Sequence, residues 1–321
     1  MNPISKLASG FLLLISSLLF AAPEVDKAQQ LAREGRYKEA VQIYQRERRL
    51  KKNDSLYALE LFHLYVNLRR VKEAKDELKK IPSAQRAPLA KFCEEKGLAN
   101  LAKEIYQDLE KSGIRHPLSL EEVYYNQARV YLKEGKIKEA IKKIASLPQE
   151  SERKLYYRAK FFFFLGEFDS TLKYTFEFSR RFPKSDLRNS LYELNLLLTT
   201  VDDIKPLTRV YLLREIGENK KAEDELKKIN QPYAKILLAK IYEEDKKTSF
   251  AIKLLEEVIS KDTTGFFASK ALLELAKVYG SLSDEGKAQT CLEELITRYS
   301  SSPFAPIARS LMKSEKRGRI H

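Results

Sequence analysis

Tryptophan is absent from this 321-residue chain, and cysteine (two), methionine (two) and histidine (three) are scarce. The histidines, His63, His116 and His321, never stand at metal-ligand spacing, and no Cys-x-x-Cys or His-Glu-x-x-His occurs. No Gly-rich phosphate loop and no Gly-x-Ser-x-Gly elbow is present. Carboxylate pairs such as Glu121–Glu122 and Glu256–Glu257 sit in helix-forming stretches of mixed charge, which is the pattern of a solvated face. Catalysis, a metal centre and a cofactor are therefore not expected. Glycine and proline number only 11 each, and no sustained period-two alternation is bounded by tight turns, which argues against a β-sheet. Cys93 and Cys291 are far apart in the chain and read as small buried apolar residues rather than a disulfide.

What remains is rich in Leu, Ala, Glu, Lys and Arg at helical spacing, the composition of an all-α protein. The net charge is +14, with basic residues interspersed among Asp and Glu; only the tail KSEKRGRIH is a concentrated basic run, read over 316–321 as a solvated end. Excess positive charge suits phosphate, anionic lipid or acidic protein. The N-terminus narrows that choice. Lys6 is followed by an apolar run from Phe11 to Phe20 and then by Ala21 and Ala22, the plan of a secretory signal peptide over residues 1–21. The run is shorter than the ~20 residues that span a bilayer. Leu19 stands where a small residue suits cleavage, so an uncleaved inner-membrane anchor is the alternative to a periplasmic or secreted protein. An exported chain is not expected to meet nucleic acid.

The main signal is repetition. EGRYKEA (34–40) returns as EGKIKEA (134–140), and AKDELKKI (74–81) as AEDELKKI (222–229). Aligned on the last alanine of the first phrase, the register holds Ala40, Ala74, Ala102, Ala140, Thr171, Ala222, Ala251 and Ala288. The successive spacings are 34, 28, 38, 31, 51, 29 and 37 residues, so all but one scatter around a common period. Twelve residues before each anchor stands Ala28, Phe62, Ala90, Ala128, Ala159, Val210, Ala239 or Ala276, with an aromatic, Leu or Cys three residues later. Each unit therefore reads as two amphipathic helices joined by a tight turn, with small residues at the close approach. Gly35, Gly97, Gly135, Gly166 and Gly217 would end the first helices in a left-handed cap. One hairpin cannot bury its apolar face alone, and stacking supplies the core. The 51-residue gap holds an additional helix over 185–201, with Leu187, Leu191, Leu194 and Leu198 on its apolar face. It predicts a hinge near 183–205 between a five-repeat block (24–182) and a second block of three repeats and a cap (205–315); one continuous array is the alternative.

This pattern resembles the tetratricopeptide repeat family over about residues 24–299. The resemblance implies an all-α, right-handed superhelical solenoid of about eight hairpins with a C-terminal capping helix, here from about Pro303 to Lys313. It further implies a non-catalytic scaffold that binds another protein in a concave groove. In that family the residue after the small residue of the first helix faces the groove. Here five of eight such positions are basic (Lys91, Arg129, Lys160, Lys240 and Lys277), where a usage of 59 in 321 leads one to expect about 1.5. Tyr125 and Tyr156, four residues earlier, and Phe163 and Phe164 of the KFFFFLGEF run add apolar surface. These nine residues form the candidate groove, expected to take an acidic or C-terminal segment of a partner. The local phrase Tyr299, Pro303, Phe304, Ala305, Ala308, Leu311 resembles the repeat joint of bacterial envelope proteins of this family, and with the N-terminal export segment it leads one to expect a scaffold of the cell envelope. The alternative is a structural envelope component that meets anionic lipid or glycan through its basic surface, with peripheral contact to an anionic membrane.

Overall fold

The computed structural model describes residues 23–51, 54–112, 120–148, 150–262 and 265–318. The expected signal peptide, residues 1–21, and residues 319–321 of the basic tail lie outside the described residues. The described residues form eighteen α-helices and no strand. Sixteen of them pair as hairpins. The first four pairs are α1 (Pro23–Arg33) with α2 (Tyr37–Lys51), α3 (Asp54–Asn67) with α4 (Val71–Leu78), α5 (Arg86–Glu95) with α6 (Ala99–Ser112), and α7 (Leu120–Lys133) with α8 (Ile137–Ala145). The fifth is α9 (Glu152–Leu165) with α10 (Phe168–Arg181), and α11 (Arg188–Thr200) follows unpaired. The last three are α12 (Lys205–Glu215) with α13 (Asn219–Leu226), α14 (Pro232–Glu244) with α15 (Thr248–Lys261), and α16 (Phe266–Ser281) with α17 (Glu285–Arg298); α18 (Ala305–Gly318) ends the array.

One capping geometry explains the repetition. In every hairpin the first helix ends in a residue with positive φ, and the next amide donates back to a carbonyl five residues earlier, the Schellman arrangement. The acceptors are the carbonyls of Leu31, Tyr65, Cys93, Tyr131, Phe162, Leu213, Tyr242 and Tyr279, at N···O distances of 2.7–3.0 Å. Five of the positive-φ residues are the expected glycines; Arg69, Lys246 and Ser283 hold the same position at φ 59–62°. Thus the sixth hairpin closes like the others. All eight second-helix anchors and all eight small or apolar first-helix residues of the register are buried. In the fifth hairpin Thr171 and Thr175 replace Ala and Leu, and their hydroxyls are satisfied by the carbonyls of Glu167 and Leu172 and by Asn195 of α11.

The chain divides into two compact units, one through Arg158 and one from Ala159, so the boundary falls inside α9 and upstream of the 183–205 segment. In the first unit, α2 packs on α3 and α6 on α7, which carries the core from one hairpin to the next around Tyr44, Phe62 and Tyr106. In the second, α15 packs on α16, α14 on α16, and α17 on the terminal α18, whose Ala305 and Ala308 are buried. Helix α11 packs on α10 and buries Leu191, Leu194 and Leu197. The expected Leu191 and Leu194 are buried, whereas the expected Leu187 and Leu198 are only half-buried, because the last turn buries Leu197 instead. Among the described residues no helix is long and apolar enough to cross a membrane. Cys93 and Cys291 are both unbonded to each other and buried; burial pushes their thiols up to about 12 and about 11, out of reach of ionisation at neutral pH.

Candidate partner-binding surface

The basic residues expected to face a groove are mostly engaged by glutamates of neighbouring repeats. In the first unit, Arg129 of α7 donates through Nη2 to the Glu94 carboxylate of α5 at 3.0 Å, and Lys133 reaches the same oxygen at 3.1 Å. The Tyr106 hydroxyl donates to the other oxygen at 2.9 Å. The Glu94 side chain is 1% exposed, so this is a buried ion triad that ties one hairpin to the next. Successive second helices carry the same device: Arg48–Glu77, Lys75–Glu104 and Lys143–Glu110 bridge α2 to α4, α4 to α6 and α6 to α8 at 2.6–2.7 Å. Much of the dispersed basic charge therefore pairs between repeats. Lys91 is different. It is exposed on α5, and no partner for it is present among the described residues.

The aromatics divide sharply. Tyr125 of α7 stacks on Tyr157 of α9, with centroids 4.2 Å apart and planes 14° apart, and Tyr156 meets Tyr157 edge-on. All three are half-buried and present partial apolar surface in the first unit. Tyr157 escaped the sequence reading because it stands one residue off the groove register. Phe163 and Phe164, by contrast, are buried and add nothing to a surface, which corrects the expectation that the KFFFFLGEF run must spill onto one. The reason is that α9 is covered on several sides. Phe163 packs against Phe168 and, edge-on, Tyr211 of α12, while Phe162 stacks on Tyr174 of α10. Exposed apolar side chains lie instead at Leu172 and Phe176 of α10 and Tyr192 of α11, positions the register did not mark.

In the second unit Lys160 pairs with Glu215 of α12 at 2.6 Å, both largely buried. Lys240 of α14 and Lys277 of α16 converge on Glu274, at 3.7 and 3.1 Å, and Lys270 joins them at 3.1 Å. Burial alone would raise the Glu274 carboxyl, but Lys240, Lys270 and Lys277 outweigh it and hold the group at about 2. Lys270 also contacts Glu193 of α11, which accepts from the Tyr233 hydroxyl. Of this polar centre only Lys240, Lys277 and the half-buried Tyr211 lie on the expected groove positions. Lys270 and Tyr233 share another position, six residues before Ala276 and Ala239. No cluster of His, Cys, Asp and Glu able to hold a metal ion occurs among the described residues.

Residues 270–302 and 121–142 each match a family model described as a tetratricopeptide repeat. The two segments are α16–α17 with its following joint and α7 with the start of α8, each one copy of the hairpin that recurs through the chain. The chain carries tetratricopeptide repeats. Three solved structures similar to this tetratricopeptide repeat protein illustrate the range. One is MamA (residues 41 to the end) from Desulfovibrio magneticus RS-1, at 15% identity and a TM-score of 0.29, covering 57% of this chain and 97% of that one. Another is a tetratricopeptide repeat protein from Parabacteroides merdae, at 13% identity and a TM-score of 0.30, covering 91% and 96%. The third is the C-terminal part of a repeat-containing protein from Cytophaga hutchinsonii, at 15% identity and a TM-score of 0.31, covering 88% and 98%. Comparison with curated protein sequences finds no match. Tetratricopeptide repeats generally mediate protein–protein interactions, and proteins built from them are typically non-catalytic scaffolds.

Proposed function

We propose that this tetratricopeptide repeat protein is a non-catalytic adaptor of the bacterial cell envelope, exported by its N-terminal segment, that holds an acidic or C-terminal segment of a partner protein. The observation that supports this reading most directly is Lys91, the one expected groove cation that stands exposed and unpaired among the described residues. The Tyr125–Tyr157 stack on the first helices of the same unit supplies the aromatic surface such a segment packs on. Arg129 and Lys160 contribute less as ligands, because Glu94 and Glu215 already neutralise them.

The test is a pull-down from envelope extracts with the mature protein, Lys91→Glu and Tyr125→Ala. A defined protein recovered by the native chain and lost from both variants supports the adaptor and names the partner; identical recoveries sink the groove reading. Mass spectrometry of the protein from a periplasmic fraction addresses export, with an N-terminus at Ala22 expected and an intact Met1 pointing to the anchored form. The net charge of +14 favours a second reading, contact with anionic lipid. That contact would show as vesicle co-sedimentation that collapses at high ionic strength, whereas a partner held on aromatic surface survives in part.

A further inference from the structure

Helix α11 stands outside the repeat register, yet its side chains have a defined seat. Leu191, Leu194 and Leu197 are buried, and Asn195 accepts from Thr175 of α10. Glu193 reaches the first helices of the last hairpins. Its Oε1 accepts from the Tyr233 hydroxyl of α14 at 2.8 Å and lies 3.1 Å from Nζ of Lys270 on α16. The Tyr233 hydroxyl is in turn 3.1 Å from that of Tyr211 on α12. One carboxylate on the odd helix thus reaches a hydrogen-bonded row drawn from hairpins six, seven and eight.

That row is built for an anion. The Lys270 side chain is 8% exposed and Glu274 3%, and Tyr233 is likewise buried. Glu243 also faces Lys240 and Lys277, the second of which is exposed, whereas the buried Lys270 meets a single carboxylate of the repeats, Glu274, and shares it with the other two lysines. A buried ammonium group short of anions is costly, and Glu193 offsets part of that cost. Lys270 and Tyr233 occupy the same register position in successive repeats. Their convergence on one oxygen is therefore a property of the repeat stack, and Glu193 is its occupant.

We propose that the first-helix face of hairpins six to eight is a receptor for a helical segment that presents a carboxylate to Tyr233 and Lys270, and that α11 fills this receptor in cis with Glu193. A partner segment of the same chemistry would bind the second unit by displacing α11. The proposal deepens the adaptor reading and depends on it for the existence of a partner, while the seat of α11 is tested separately.

The test uses the full-length protein, native and as Glu193→Lys and Glu193→Gln, with a fluorescent peptide of residues 185–201 as probe. Hydrogen exchange should show α11 amides losing protection at least tenfold in Glu193→Lys and less in Glu193→Gln, while α14 to α17 keep theirs. Anisotropy should show the peptide binding Glu193→Lys at least tenfold tighter than the native chain, whose receptor is filled. Adding Lys270→Glu should abolish that binding, and a peptide carrying Glu193→Lys should restore it. Unchanged α11 protection in both variants, or peptide binding indifferent to residue 270, overturns the proposal. Should Glu193→Lys melt α14 to α17 as well, Glu193→Gln with the same peptide decides. A partner recovered through Lys91 alongside an immovable α11 leaves the adaptor reading intact and removes this one; a displaceable α11 with no recovered partner does the reverse.

Discussion

At the scale of single residues, the turn between the two helices of each hairpin is the most constrained position. Gly35, Gly97, Gly135, Gly166 and Gly217 have φ of 72–83°, and Arg69, Lys246 and Ser283 hold that conformation with a side chain. A Cβ in the left-handed region costs about 1 kcal/mol. Lys246→Gly is therefore expected to raise the urea midpoint, and Gly135→Ala, with open space around it, to lower stability by about 1 kcal/mol. Gly265→Ala should cost more, since its Cβ would sit 2.7 Å from the Tyr299 ring, and the difference between the two alanine variants measures that clash. Charge reversal at Arg129 belongs at this scale too. Arg129→Glu would set a carboxylate against the buried Glu94 and should cost about 3 kcal/mol or more. Urea unfolding of the first unit checks it, and a neutral outcome would show that Lys133 and Tyr106 suffice to hold Glu94. The pairing partners of Arg129 and Lys160 could not be read from sequence, because Glu94 and Glu215 lie 35 and 55 residues away and meet them only once hairpins stack.

Among the elements, the terminal helix shows how a repeat array ends. A final hairpin leaves its stacking face open, and a cap must cover it. Helix α18 does so with Phe304, just before its start, and with Ala305 and Ala308; Phe304 packs on Phe266, and Lys270 lies 5.0 Å from its ring centre. Phe304→Ala should destabilise the second unit by about 3 kcal/mol, within the range for a buried aromatic, and thermal unfolding compared with an exposed change at Ile307 checks it. The hairpins were legible because local chemistry repeats: the same left-handed turn, the same small residue at the close approach, the same anchor. The additional helix was legible as a helix from its leucine spacing. Its spacing places Leu191 and Leu194 on the buried face, as found, but the last turn buries Leu197 rather than Leu198, since a short leucine-rich stretch offers two stripes and only packing chooses between them. The placement of Glu193 had no local signal at all, because its contacts lie 40 and 77 residues further along the chain.

Across the molecule, ion pairs spaced about one repeat apart run along the second helices of the first unit, and in the second unit Lys240, Lys277 and Glu193 gather around the buried pair Lys270–Glu274. The second unit should therefore be acid-sensitive in a specific window. Glu274 is held at about 2 in the folded chain against its ordinary 4.5, and Glu193 is lowered as well, burial being outweighed in both by the neighbouring lysines. A carboxyl depressed by folding stabilises the folded state above its unfolded pKa, and the contribution disappears as pH falls through the folded value. Stability of the second unit should hold from pH 7 to near 4.5 and then fall steadily towards 2. Lysines remain charged throughout, so the loss leaves the buried Lys270 ammonium without its carboxylate partners, beside the less buried Lys240 and Lys277. Urea midpoints measured over that range, in the native chain and in Glu274→Gln, separate this centre from generic acid unfolding. The variant should be less stable at neutral pH and shallower in its decline below 4.5. A native and a variant chain that decline in parallel would place the acid response in the remaining carboxylates instead.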